Sequence, residues 1–303
     1  MESRNVSGWR IAATLVAVVV GVALLGFGAW AVIDRFLPGE EPAEKLTSRT
    51  PTTAVPPSAK QSTESTAPGS VNTPSVTPTP TPPPASKPTP KSLRGLVVVI
   101  DPGHQGKQIT KPEPIGPGAT QTKPGVSTGT SGVVTHKPES VLALEISLKL
   151  RDELEQRGAK VIMTRTTQNV SLGNIQRAAI ANKAHAALFI RIHADGSPDR
   201  NRRGISTLVP APNKWTRPIV KESTIAGRFV QQGVLRTTGA VDLGVTPRAD
   251  ITGFNWSKVP TCLVETGFMS NPAEDRLLST SAYQRKLAVG MANGVIAYLR
   301  TLR

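Results

Sequence analysis

Between Leu96 and Leu299 the chain alternates short apolar runs with longer stretches in which apolar positions recur every three or four residues. The first run, Leu-Val-Val-Val-Ile at 96–100, is apolar at every position, as in a strand buried on both faces. Asp101-Pro102-Gly103 then turns the backbone, because proline removes a ladder donor and glycine widens the accessible φ range. Pro138-Glu139 opens a helix, with proline at the first helical position, apolar residues over Val141–Leu154 and Arg157-Gly158 at its end. The same reading predicts strands at Lys160–Thr164, Ala187–His193, Gly204–Pro210 and Val259–Glu265, and helices at Asn174–Ala184, Ser223–Leu235 and Ala282–Leu299. Such alternation implies an α/β fold: a single domain with a mostly parallel twisted sheet flanked by helices on both faces. One stretch, Gln105–Lys137, is rich in Gly, Pro and Thr and is long for a plain connection, so a functional or mobile loop is expected there.

The pattern changes upstream. Ile11–Ile33 is 23 residues without a charge, enough to span a bilayer, with Arg4 and Arg10 before it and Asp34, Glu40, Glu41 and Glu44 after it. The positive-inside rule puts residues 1–10 in the cytoplasm and everything after Asp34 outside, held by a single-pass membrane anchor. Ala29-Trp30-Ala31 resembles a signal-peptidase site, but the apolar run is long for a cleaved signal, which favours an uncleaved anchor. Residues 34–91 are dominated by Pro, Thr and Ser with almost no aliphatic side chains, so they cannot bury enough surface to fold and read as a disordered linker. The expected organisation is therefore a transmembrane helix over 11–33, a tether over 34–91 and a folded domain over 92–303.

Charge narrows the partners. The 303 residues carry a formal net charge of +15, and from Lys91 onward 29 Lys and Arg face 15 Asp and Glu. That excess suits an anionic polymer, but no basic helix with interleaved aromatics appears, so nucleic acid is not expected as a partner. Cys262 is the only cysteine, which excludes a disulfide framework and a thiolate zinc site.

Three of the apolar strands end in ionisable residues: His104 after the first, His193 after Phe189-Ile190-Arg191-Ile192, and Glu265 after Cys262-Leu263-Val264. In parallel neighbouring strands these side chains gather on one edge of the sheet, where α/β folds bind ligands. Glu139, in the first turn of the helix after the long loop, can lean over the same edge. Two imidazoles and one carboxylate make the ligand set of a catalytic zinc site with an open position for water, and a spare carboxylate beside it can take a proton from that water.

The blocks Val98-Val99-Ile100-Asp101-Pro102-Gly103-His104, Phe189–Asp195 and Val264-Glu265-Thr266-Gly267-Phe268-Met269-Ser270-Asn271-Pro272 resemble the zinc-dependent N-acetylmuramoyl-L-alanine amidases of the amidase_3 type. The resemblance covers residues 95–302. It implies that His104, Glu139 and His193 hold Zn2+, that Glu265 is the catalytic carboxylate, and that the substrate is the amide between N-acetylmuramic acid and L-alanine in peptidoglycan. Two departures stand out. Where the family has Ser-Leu-His or Ser-Ile-His this chain has Arg191-Ile192-His193, and alternation puts Arg191 on the face of His193, where it can pair with a carboxylate or tune the site. Before Glu139 the usual Gly-aromatic lead-in is replaced by Thr135-His136-Lys137-Pro138, which makes His136 the competing ligand.

Other residues have plainer expectations. His185 reads as a surface residue and His136 as loop; Asp101 and Asp195 read as structural, Asp101 fixing the turn or orienting a ligating histidine. Cys262 faces away from Glu265 and belongs to the core. Arg248 is a candidate for binding a substrate carboxylate. A monomer is expected. The alternatives to an amidase are a zinc peptidase acting within the stem peptide and a non-catalytic wall-binding module.

Overall fold

β1, Val97–Pro102, lies inside a six-stranded sheet with β4 (Lys160–Met163) on one side and β5 (Leu188–Asp195) on the other, both parallel to it. β8 (Thr261–Phe268) continues the parallel array beyond β5. The computed structural model describes residues 95–303, all of which fall in one unit of the chain. The full strand order is β4-β1-β5-β8-β6-β7. β6 (Ile205–Pro210) runs antiparallel to β8, and β7 (Asp242–Arg248) is parallel to β6, so the sheet is mostly parallel with one reversed pairing.

Strand alternation divides the apolar residues between two layers. Val98, Ile100, Ile190, Cys262 and Val264 face α1 (Glu139–Gln156), α3 (Val220–Thr238) and α6 (Ser281–Thr301), in the larger core. Val99 and Phe189 face α2 (Asn174–Lys183) through Ala178 and Ala181, in a smaller one. Cys262 is accordingly a buried core thiol, pushed up to about 12 by desolvation.

Five elements are absent from the pattern reading. The long loop contains a hairpin, β2 (Ile109–Pro114) against β3 (Thr122–Val126). It is fastened at a distance: Trp256 Nε1 donates to the Pro114 carbonyl at 2.9 Å, Trp215 Nε1 to the Pro117 carbonyl at 2.8 Å, and the Asn174 N–H to Glu113 Oε2 at 2.9 Å. β7, α4 (Thr252–Asn255) and α5 (Pro272–Leu278) are the others, the last capped by Asn271, whose side chain accepts from the N–H groups of Ala273 and Glu274. Among the described residues no helix is long and apolar enough to cross a membrane. The expected cytoplasmic segment 1–10, anchor 11–33 and linker 34–91 lie outside the described residues.

Helices α3 and α6 cross at glycines. A methyl at Gly233 would overlap the Gly290 carbonyl, and one at Gly294 the Phe229 carbonyl. Gly233→Ala is expected to force the helices apart and cost about 1–3 kcal/mol; an unchanged urea midpoint would show that the crossing tolerates separation.

Candidate active site

β1 delivers the chain to Gly103 and to His104, whose φ of 55° lies in the left-handed region. A residue with a Cβ is held there only against a cost of about 1–2 kcal/mol. Two buried arginines impose it through the carbonyls of the turn. Arg177, from α2, donates to Pro102 O at 2.8 Å and to His104 O at 2.9 Å. Arg165 donates to Pro102 O at 3.0 Å and to Gly103 O at 2.8 Å. His104 Nδ1 donates in turn to the Ser127 carbonyl at 2.9 Å, which leaves the lone pair on Nε2 directed at Glu139.

Glu139 is the first residue of α1, and its own N–H donates to the Thr130 carbonyl at 2.9 Å. Its carboxylate is divided. Oε2 accepts the Thr130 N–H at 2.9 Å, while Oε1 lies 3.0 Å from both His104 Nε2 and His193 Nδ1. Gly129 makes this approach possible, since a Cβ there would meet Oε2 at 2.6 Å. Burial works to raise the Glu139 pKa, but the His104 and His193 imidazoles against its carboxylate outweigh it and hold the group well below the usual carboxylate range. Burial also lowers His193 to about 4, so its imidazole is neutral and has a lone pair to offer. His193 Nε2 is buried with no partner.

Glu265 stands beside His193 in register across β5 and β8, and both line a cavity of about 440 Å³ together with His104. Its Oε2 is buried and unpartnered. Desolvation, with the nearby charges of Glu139 and Asp195, raises its pKa well above the ordinary value. A carboxyl held in this way gives up its proton less readily than a solvated one, which suits a group that takes and returns a proton.

Among the described residues, His104, Glu139 and His193 are the one group of His, Cys, Asp or Glu whose donor atoms fit a metal ion, all lying within 4.8 Å of one another. Bonds of 2.0–2.2 Å at tetrahedral angles separate neighbouring donors by about 3.3 Å, close to the 3.0 Å found between Glu139 Oε1 and each imidazole nitrogen. The donor set, nitrogen with one carboxylate and no thiolate, suits a borderline divalent cation.

The remaining expectations divide. His136 is excluded from this group: it turns back in the loop at φ 56°, close to Asp275. His185 is exposed after α2. Asp101 fixes the turn and touches no histidine directly; its partners are Arg177, Arg191 and Thr164. The reason is geometric, since Asp101 precedes the turn and the ring of His104 is directed at Ser127. Arg191 does lie on the His193 side of β5 and pairs with Asp101 Oδ2 at 2.8 Å. Arg248 ends β7, ahead of the last strand, and lines the cavity that holds Glu265. The long loop, expected to be functional and to line or gate the cleft, does supply a wall of the site, through Lys123, Pro124 and Val126 of the hairpin and Ser127 just after it; what the sequence did not show is that this wall is built of strands. Sequence reasoning missed Arg165 and Arg177 as the clamp on the turn.

Residues 98–297 match the Amidase_3 family, described as N-acetylmuramoyl-L-alanine amidase. The chain is 32% identical over 222 residues to the N-acetylmuramoyl-L-alanine amidase Rv3717 of Mycobacterium tuberculosis, with 70% of this chain and 90% of that protein covered. It is 29% identical over 251 residues to the amidase AmiA of Escherichia coli, covering 70% and 80%. Among solved structures it is similar to the N-acetylmuramyl-L-alanine amidase Ami1 of Mycobacterium smegmatis, with a TM-score of 0.64, 28% identity, and 69% of this chain and 99% of that one covered.

Gly103 packs directly on the His193 ring, and a methyl there would overlap it. Gly103→Ala is expected to push the imidazole away from Glu139 and weaken divalent-metal affinity roughly ten- to a hundredfold, as loss of ligand orientation does. Metal competition titrations check this; undiminished affinity would mean that His193 is not a ligand.

Proposed function

The chain belongs to the Amidase_3 family, and we propose that its His104, Glu139 and His193 hold a zinc ion while Glu265 moves the proton of the reaction. It is a peptidoglycan hydrolase that cleaves the amide between N-acetylmuramic acid and L-alanine. The observation that carries the site reading is the convergence of two imidazole nitrogens on one carboxylate oxygen at 3.0 Å, with Glu265 in the same cavity. A bound zinc ion supplies Lewis-acid activation of the scissile carbonyl and of the attacking water.

The chain's own residues account for the rest. Glu139, anchored at both oxygens, and His104, fixed through Nδ1 to Ser127, present pre-oriented lone pairs. Glu265 accepts a proton from water as oxygen attacks the carbonyl carbon. It then returns that proton to the nitrogen of the departing alanine as the C–N bond breaks. Its buried, partner-free oxygen supports this role, because a carboxylate already hydrogen-bonded by protein would be a weaker base. Residues 11–33 anchor the protein in the membrane and 34–91 tether the catalytic domain on the wall side; the support is the uncharged apolar run and the Pro/Thr-rich composition.

Glu265→Gln is expected to lower kcat about 10²–10⁴-fold on purified peptidoglycan while leaving zinc content intact. The readout is the mass of released stem peptides beginning with alanine, together with metal analysis of the same sample. Full activity in this variant would remove Glu265 from the mechanism, and a folded wild type that binds no zinc would remove the metal reading. Chelation is expected to abolish release and to lower Tm, since an ion bound only by the native state stabilises it.

A further inference from the structure

Two guanidinium groups enter the catalytic cavity from different strands. Arg191 comes from β5 and Arg248 from β7, and both line the space that holds His104, His193 and Glu265. Arg191 is almost buried, its side chain 5% exposed; Nε donates to Asp101 Oδ2 at 2.8 Å and Nη2 to Asn174 Oδ1 at 2.8 Å. Its Nη1 has no hydrogen-bond partner among the described residues. Gly253 leaves room for that nitrogen, since a Cβ there would lie 2.5 Å from it. Arg248 repeats the arrangement. Nε and Nη2 grip the two oxygens of Asp250 at 2.8 and 3.0 Å, and Nη1 has no partner among the described residues.

Charge counting reaches the same place. Asp101 is shared by Arg177 and Arg191, and Asp250 by Arg248 and Lys123, so each cluster holds two cations against one carboxylate. All four cations line the cavity, where Glu265 is the one further carboxylate in the lining, so four cations face three carboxylates, Asp101, Asp250 and Glu265. A surplus positive charge with a free donor in a partly buried site is stabilised by an anion, and planar guanidinium groups match carboxylates best.

We propose that Arg191 and Arg248 form a subsite for a carboxylate of the stem peptide, which makes the enzyme selective for an anionic stem over one whose carboxyl is amidated. The inference rests on the amidase reading for the position of the stem peptide, which must leave the cavity past Glu265. The carboxylate comes either from the residue next to the released alanine or from one further along.

The test uses the full-length, zinc-loaded protein on a soluble pair, muramoyl-L-alanyl-D-glutamate and the matching D-isoglutamine compound, which differ by one carboxylate. The acid is expected to be preferred about tenfold in kcat/KM, chiefly through KM, the effect of one charge-assisted hydrogen bond. Arg248→Gln, a half-exposed edge-strand change that the fold tolerates, is expected to bring that ratio close to one, and Arg248→Lys to restore part of it. A wild type that ignores the soluble pair but slows on walls amidated with carbodiimide and ammonia would place the carboxylate further along the peptide. Equal rates on all four substrates, native walls included, would overturn the subsite. If nothing is hydrolysed, the amidase reading fails instead, and calorimetry on the Glu265→Gln protein still decides: L-alanyl-D-glutamate must bind several-fold tighter than L-alanyl-D-isoglutamine, and equal binding refutes the proposal.

Discussion

Asp101 is fully buried at the end of β1, where Oδ1 accepts from Thr164 at 2.5 Å and from Arg177 at 2.7 Å, and Oδ2 accepts from Arg191 at 2.8 Å. Burial alone would favour the neutral acid, but the charges of Arg177 and Arg191 hold it well below the usual carboxylate range. A buried ion set of this kind tolerates no missing partner, because the charge left behind costs about 3–5 kcal/mol. The arrangement reaches beyond stability. Arg177, held by Asp101, is the same side chain that grips the carbonyls of Pro102 and His104, and so forces His104 into its left-handed conformation. Arg191, held by the other oxygen, is fixed with one edge in the cavity. One carboxylate thus sets both a donor of the metal group and a wall of the substrate space.

Much of this was legible in the sequence, for a physical reason. Strands buried on both faces are apolar nearly throughout, so Val98–Ile100, Leu188–Ile192 (interrupted only by Arg191) and Cys262–Val264 announce themselves, and the ionisable residue that follows each run is conspicuous. Parallel pairing then brings His104, His193 and Glu265 to one edge, as found. The hairpin carries no such signal. Ile-Thr-Lys-Pro-Glu-Pro lies mostly exposed, and its prolines weaken a strand reading; what fixes it are the indole N–H groups of Trp215 and Trp256, 98 and 142 residues away from their acceptors. β7 fails for a similar reason, as an exposed edge strand containing Gly244 and Pro247.

The reversal of β6 was equally hidden. Its apolar residues fit either direction, and only the route of the chain after β5 decides that it returns antiparallel to β8. That choice has a consequence for the site. It brings β7 alongside as the outer edge and sets Arg248 beside Pro210, at the level of the start of β8, so that its side chain enters the cavity from the end of the strands opposite to Glu265. A parallel β6 would carry the end of β7 to the same edge as Glu265. Arg248 therefore depends on topology, and no local pattern around Thr246-Pro247-Arg248 could have located it.

Glu139 and Glu265 both stand beside His193 yet shift in opposite directions, and their surroundings explain it. Both are desolvated, which by itself raises both. Glu139 escapes because it begins a helix, receives the Thr130 N–H and faces two imidazoles, all of which favour the charged form. Glu265 has no such donor: its Oε2 is without a partner, and the negative charge of Glu139 adds to its burden. The first carboxylate is thereby held as a permanent anion, the state a metal ligand requires. The second is left able to take and give a proton. Two groups of one chemical type acquire different tasks because one stands at a helix start and the other at a strand end, and that difference is already written in the positions of Pro138 and Val264.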